Sequence, residues 1–194
     1  NGTLTNGPQW RCASADKENT PSGVGCSLYF DGLNDYVSIP NQLPLNPNPF
    51  TFSHWIKTTM ASGQVYTIGN TGGGNGYRFG ISGGRIGFLI GDGVYIESTC
   101  GTKTVNDDKW HLITGVFERG TAFKCYIDGT FVSSVPIGTY PNMSLTAPRF
   151  GRPLCCIAFN GLIDDVRIYA EALTQAQVER LYAEGAAKRG LARE

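Results

Sequence analysis

The chain carries little charge and no excess of either sign: 16% of its 194 residues are Asp, Glu, Lys or Arg, with sixteen acidic against sixteen basic. A surface that holds phosphates needs clustered Lys and Arg to displace counterions, so nucleic acid is not an expected partner. Histidine occurs only as His54 and His111, and the six cysteines include no C-x-x-C spacing, so there is no zinc-site pattern. No stretch approaches the ~18 consecutive apolar residues of a membrane helix. The first residues, Asn1-Gly2-Thr3-Leu4, have neither a basic nor an apolar leader region, so no membrane or targeting segment is expected in this chain. The run Gly72-Gly73-Gly74-Asn75-Gly76 lacks the Lys-Ser/Thr ending of a phosphate loop and reads as a hairpin loop. Internal repeats and low-complexity blocks are absent as well.

What the chain does have is glycine, at 26 positions, and an aromatic share of 11%, the composition of a turn-rich β protein. Short apolar runs alternate with Gly, Asn, Asp and Pro. The pattern predicts strands at Ser27–Phe30, Tyr36–Ile39, Phe50–Thr58, Gln64–Ile68, Tyr77–Ser82, Arg85–Ile90, Val94–Thr99, Trp110–Glu118, Ala122–Ile127, Thr130–Pro136, Pro148–Gly151 and Gly161–Ile168. Asp128-Gly129 is the strongest hairpin signal, because a type I′ turn needs positive φ at both central residues. Ser82-Gly83-Gly84 and Gly91-Asp92-Gly93 read as two more turns. So many strands joined by tight turns fold as two antiparallel sheets packed face to face.

Alternation assigns the faces. Phe50, Phe52, His54 and Ile56 share a core side, with Thr51, Ser53 and Trp55 opposite. Cys125 points inward with Phe123 and Ile127, while His111–Phe117 is apolar on both parities and reads as a central strand covered on both faces. His54 is expected to be a neutral, hydrogen-bonded core residue, and Trp55 is either a covered structural tryptophan or an exposed platform.

Six cysteines without metal spacing imply disulfides and an oxidising compartment. Cys12 and Cys26 flank the polar stretch Ala13 to Gly25 and are expected to pair. The pairing of Cys100, Cys125, Cys155 and Cys156 stays open, with the last two expected to face opposite ways from a strand.

One helix is predicted, near the C-terminus. Thr174 and Gln177 form a capping box, Leu173 and Val178 a hydrophobic staple, and Gly185 a stop. The expected organisation is one domain over residues 1–185 and a basic tail over 186–194.

The segment Leu28-Tyr29-Phe30-Asp31-Gly32-Leu33-Asn34-Asp35-Tyr36-Val37-Ser38-Ile39-Pro40 resembles the opening motif of the laminin-G-like, concanavalin A-like jelly-roll family. Phe50–Lys57, Lys109-Trp110-His111-Leu112, Cys125-Tyr126-Ile127-Asp128-Gly129 and Phe159–Tyr169 match in the family's order. The resemblance covers nearly the whole chain. It implies a concanavalin A-like β-sandwich with a short C-terminal helix, and a structural Ca²⁺ with Asp31 and Asp164 as ligands. From the residues alone, Asp31 is a turn residue and Asp164 and Asp165 straddle a strand. The Glu-x-Asp-x-x-Glu run of jelly-roll glucanases is absent, Glu97 and Glu118 each stand alone, and no triad is in view, so no enzyme is expected.

Sugar binding needs flat aromatic faces with hydrogen-bonding side chains beside them. Trp10, Tyr66, Tyr77, Tyr95 and Tyr140, with Arg78 and Asn75, are the candidates. The expected function is a secreted or surface-displayed recognition or adhesion module that binds a glycan or an extracellular protein. The alternative is the head domain of a pilus-like or adhesin filament subunit that self-assembles. A glycosidase or lyase is the remote alternative.

Overall fold

The computed structural model describes residues 2–12, 25–39, 49–70, 75–92, 95–138, 148–152 and 157–188. The strands are β1 (Thr3–Thr5), β2 (Gln9–Cys12), β3 (Cys26–Asp31), β4 (Tyr36–Ser38), β5 (Phe50–Lys57), β6 (Ser62–Asn70) and β7 (Asn75–Ser82). They continue with β8 (Arg85–Asp92), β9 (Tyr95–Thr104), β10 (Trp110–Glu118), β11 (Ala122–Ile127), β12 (Thr130–Pro136), β13 (Arg149–Phe150) and β14 (Asn160–Tyr169), followed by helix α1 (Gln175–Lys188). Two seven-stranded antiparallel sheets result, in the orders β1-β4-β13-β6-β7-β8-β9 and β12-β11-β10-β5-β14-β3-β2. The fold is the expected all-β sandwich.

Local chemistry makes the turns. Asp128 and Gly129 have φ of 55° and 75°, as the type I′ hairpin requires, and Gly83 and Gly84 repeat the geometry at 57° and 75°. β1 and β2 are additions to the predicted strands. Every residue of β2 is exposed, so the strand has no buried parity from which alternation could announce it.

Aromatic rings fill the space between the sheets. The Phe52 ring centroid lies 3.9 Å from that of Phe79, and Phe88 lies 4.1 Å from Phe123. Gly115 is required here, because a Cβ on it would sit 2.2 Å from the Phe52 ring and 2.8 Å from Phe123. His54 is buried in this layer and burial lowers its pKa to about 3, so it is neutral. The expected hydrogen bonding is incomplete: His54 Nε2 has no partner among the described residues.

Two disulfides close opposite edges. Cys12 and Cys26 face each other across β2 and β3. Cys100 and Cys125 tie β9, at the edge of one sheet, to β11 in the other, and both are fully buried. Cys155 and Cys156 lie outside the described residues. Disulfides of this kind belong to an oxidising environment.

The outer face of the second sheet is covered over one half by α1. Val116, Tyr126, Leu173 and Val178 form a separate core there. Thr174 and Gln177 close the capping box, with Gln177 Oε1 accepting from the Thr174 N–H at 2.7 Å. Trp55 is 1% exposed, stacked 5.7 Å from Tyr182, which settles it as structural. Gly185 does not stop the helix. It lies inside α1 and against the indole, where a Cβ would meet Trp55 Cζ2 at 2.8 Å, so close approach rather than termination is its role. Residues 186–188 belong to the helix, and Ala186 is buried.

Candidate functional site

The aromatics singled out from the sequence do not form one surface. Tyr66 and Tyr77 are each 2% exposed and sit in the core with Phe79, which removes them as ligand contacts. They occupy inward parities of β6 and β7. Arg78 stands on the outward parity of β7, in a cross-strand row Arg149, Thr67, Arg78, Leu89. The backbone of Tyr95 pairs with Gly91, and that of Asn75 with Asn70 and Asp92. Tyr140 lies outside the described residues. Trp10 is 59% exposed at the edge of the second sheet, on the rim of an apolar cleft of about 260 Å³ between the sheets lined by Leu28, Phe30, Val37 and Phe150.

The register does not set Asp31 beside Asp164. Asp31 is paired with Asn160, four residues before Asp164 on β14, which separates the two by about 13 Å along the strand. The Asp31 carboxylate accepts the Leu33 N–H at 2.8 Å, as a turn residue does, and Asp164 Oδ1 accepts from the Asp165 N–H at 2.7 Å. Asp31 lies instead against Asp35, which is 3% exposed and accepts the Asp31 N–H at 3.1 Å. Burial raises the Asp35 carboxyl above its ordinary range; the Asp31 N–H pulls it back in part, and the Asp31 charge raises it again.

A different cluster converges. Along β3, Leu28 and Phe30 turn inward, so Tyr29 faces outward on the half of the second sheet that α1 leaves uncovered. Register places Gln9, Tyr29, Leu162, Lys57 and Trp110 in one row across β2, β3, β14, β5 and β10. The result is a polar pocket of about 320 Å³, lined by Arg11, Tyr29, Lys57, Thr59, Asp108 and Asn160 with Gly161 and Leu162 below. Arg11 lies over the Tyr29 ring, 5.2 Å from its centroid, and donates to Gln9 Oε1 at 2.9 Å. Lys57 Nζ stands 3.9 Å from Asp108 Oδ1 at the other end.

Backbone bonds hold this pocket in shape. Thr58 Oγ1 donates to the Asn160 carbonyl at 2.6 Å, the Asp108 N–H donates to the Thr58 carbonyl at 3.1 Å, and Asn160 Nδ2 donates to the Asp31 carbonyl at 3.1 Å. Asp108 has φ of 60°, a left-handed conformation that Asp tolerates better than most residues and that fixes its place at the rim. Sequence reasoning missed this set. Parity alone marks Tyr29 and Lys57 as outward, but only the strand order β2-β3-β14-β5 sets them side by side.

His111 anchors a second polar cluster. Its Nδ1 lies 2.8 Å from Asp128 Oδ2 and its Nε2 3.0 Å from Asp107 Oδ1. Asp128 also accepts the Leu112 N–H at 3.0 Å and pairs with Lys103 at 2.8 Å, while Asp107 is 3.7 Å from Lys109. Burial works against the imidazolium, but the bonds and charges of Asp128 and Asp107 outweigh it and raise the His111 pKa above its ordinary value. The same contacts overcome burial and lower both carboxyl groups. The raised histidine stabilises the fold below its ordinary pKa, and that contribution is lost as pH rises through its folded value. The depressed carboxyls contribute above their ordinary values and lose it as pH falls. The clamp is therefore strongest between about pH 4 and about pH 6.5. His111→Phe is expected to lower the urea midpoint more at about pH 5.5 than at about pH 8.5. An equal loss at both would remove the charged clamp.

Two seven-stranded antiparallel sheets packed face to face, with a helix on the outer face of one, define a concanavalin A-like β-sandwich. The chain belongs to the laminin-G type of the Concanavalin A-like lectin/glucanases superfamily, which matches residues 30–179. No curated protein matches it. Among solved structures it is similar to the binding domain of Paraclostridial Mosquitocidal Protein 1, at 18% identity and TM-score 0.73, covering 95% of this chain and 48% of that one. It is also similar to the botulinum neurotoxin serotype D binding domain, at 15% identity and TM-score 0.70, covering 95% and 46%. A third is the botulinum neurotoxin type C structure, at 14% identity and TM-score 0.71, covering 95% and 47%. Cell entry of that toxin depends on interaction with two ganglioside molecules. The chain thus spans about half the length of these structures, and the likeness is one of fold. Among the described residues no helix is long and apolar enough to cross a membrane.

Proposed function

We propose that this domain is a non-catalytic recognition module, secreted or displayed at the cell surface, that binds a glycan through the pocket over Tyr29. The observation that carries the reading is an outward aromatic face ringed by Arg11, Lys57, Asp108 and Asn160 on the uncovered half of a lectin-type sheet. A sugar ring stacks its C–H face on the side of the phenol that Arg11 does not cover, while its hydroxyls bond the surrounding donors and acceptors. The toxin binding domains of the same fold support the reading, since the type C toxin interacts with gangliosides and a type DC domain has been captured with synaptotagmin II. A metal is not assigned to the pocket, because Asp31 and Asp164 do not converge on it.

A glycan array run with and without EDTA tests the proposal. Binding that survives chelation and is lost in Tyr29→Ala is the expected result. Binding that requires a divalent ion would return the site to a metal centre elsewhere. Absence of glycan binding together with self-association would favour the filament-subunit reading.

A further inference from the structure

We infer that the pocket over Tyr29 selects anionic saccharides, sugars bearing a carboxylate or a sulfate ester, over neutral ones; the inference rests on the glycan reading and names its ligand class. The chain as a whole has no net charge, yet two cations and one carboxylate meet in this pocket. The Lys57 side chain is only 16% exposed, and its ion pair with the largely exposed Asp108 is at 3.9 Å, the outer limit of contact. The ammonium lines the pocket with its carboxylate partner at the limit of contact, so an anion entering there gains a charge-assisted contact.

Arg11 complements it from the opposite end. The strand carrying Arg11 is three positions from that carrying Lys57, about 14 Å at the backbone, and both side chains line the same pocket. The Arg11 guanidinium lies over Tyr29 and donates to Gln9 Oε1. The planar guanidinium fork presents N–H groups suited to a carboxylate or sulfate. Asp108 and Asn160 are left for the hydroxyls of the same ligand, and Tyr29 for its ring face.

The test is titration calorimetry with matched pairs: a uronic-acid oligosaccharide and its carboxyl-reduced form, and a sulfated oligosaccharide and its desulfated form. The acidic member of at least one pair is expected to bind about tenfold more tightly or better, because a charge-assisted hydrogen bond contributes more than a neutral one. That preference is expected to shrink as salt is raised. Arg11→Gln and Lys57→Met are each expected to weaken the acidic ligand about tenfold and leave the neutral one unchanged, with thermal melts matching the parent. Tyr29→Ala is expected to weaken both members. Which pair discriminates identifies the anion as carboxylate or sulfate. Equal binding of acidic and neutral members, insensitive to Arg11 and Lys57, would overturn the charge selectivity and leave glycan binding standing. No saccharide binding, or binding of an acidic peptide alone, would overturn the glycan reading and this inference with it.

Discussion

Trp55→Ala is expected to cost about 3–5 kcal/mol of stability, the range for truncating a fully buried large aromatic. The indole is enclosed by the second sheet on one side and by Tyr182 and Gly185 of α1 on the other. Removing it leaves a void between a sheet and a helix whose docking depends on few other large side chains. Tyr182→Ala, which removes the half-buried partner ring, is expected to cost about 1–2 kcal/mol from lost stacking and area. Urea denaturation of both variants checks the pair. A loss below about 1 kcal/mol for Trp55→Ala would mean that α1 does not close this face. The pocket over Tyr29 lies on the uncovered half of the same sheet, so Trp55→Ala also tests whether helix docking and ligand binding are independent.

The second large effect concerns the disulfide between the sheets. Cys100 and Cys125 are separated by 25 residues, and on the chain-entropy treatment closing such a loop contributes about 3.5 kcal/mol. The corresponding figure for Cys12–Cys26, with a separation of 14, is about 3 kcal/mol. Their accessibility differs more than their energetics. Cys100 and Cys125 are wholly buried, whereas Cys12 is exposed on an edge strand. Mild reductant on the native protein is therefore expected to open Cys12–Cys26 first, with Cys100–Cys125 resisting until the sandwich unfolds. Mass spectrometry of alkylated thiols along a urea series measures the order. Equal rates in the native protein would contradict the buried position of the second bond. The double variants Cys100→Ala/Cys125→Ala and Cys12→Ala/Cys26→Ala are each expected to lower the urea midpoint, the first slightly more, in line with its longer loop.

Much of the fold is legible residue by residue. Asp128-Gly129 announces its hairpin because few other pairs accept positive φ at both places, and Phe50, Phe52 and Ile56 announce a buried face because side chains alternate along a strand. The capping box at Thr174 and Gln177 is equally local. β2 stayed hidden because it is exposed throughout and is held by pairing with β3 and the Cys12–Cys26 bond rather than by burial. Gly185 misled because a glycine near a helix end signals a stop by conformation, whereas here it is used for its lack of a side chain.

The chain's own order of residues thus determined the class of structure, two antiparallel sheets with a capped helix, since periodicity, turn chemistry and capping act over a few neighbours. The tertiary structure decided which surface is available. Parity says that Trp55 and Tyr29 share the outer side of one sheet, but only the docking of α1 covers the first and leaves the second open. It likewise put Tyr66 and Tyr77 between the sheets and gathered Arg11, Lys57, Asp108 and Asn160, distant in sequence, around one pocket. A site of this kind depends on which strands become neighbours, and that is set by the packing of the whole chain rather than by any one segment.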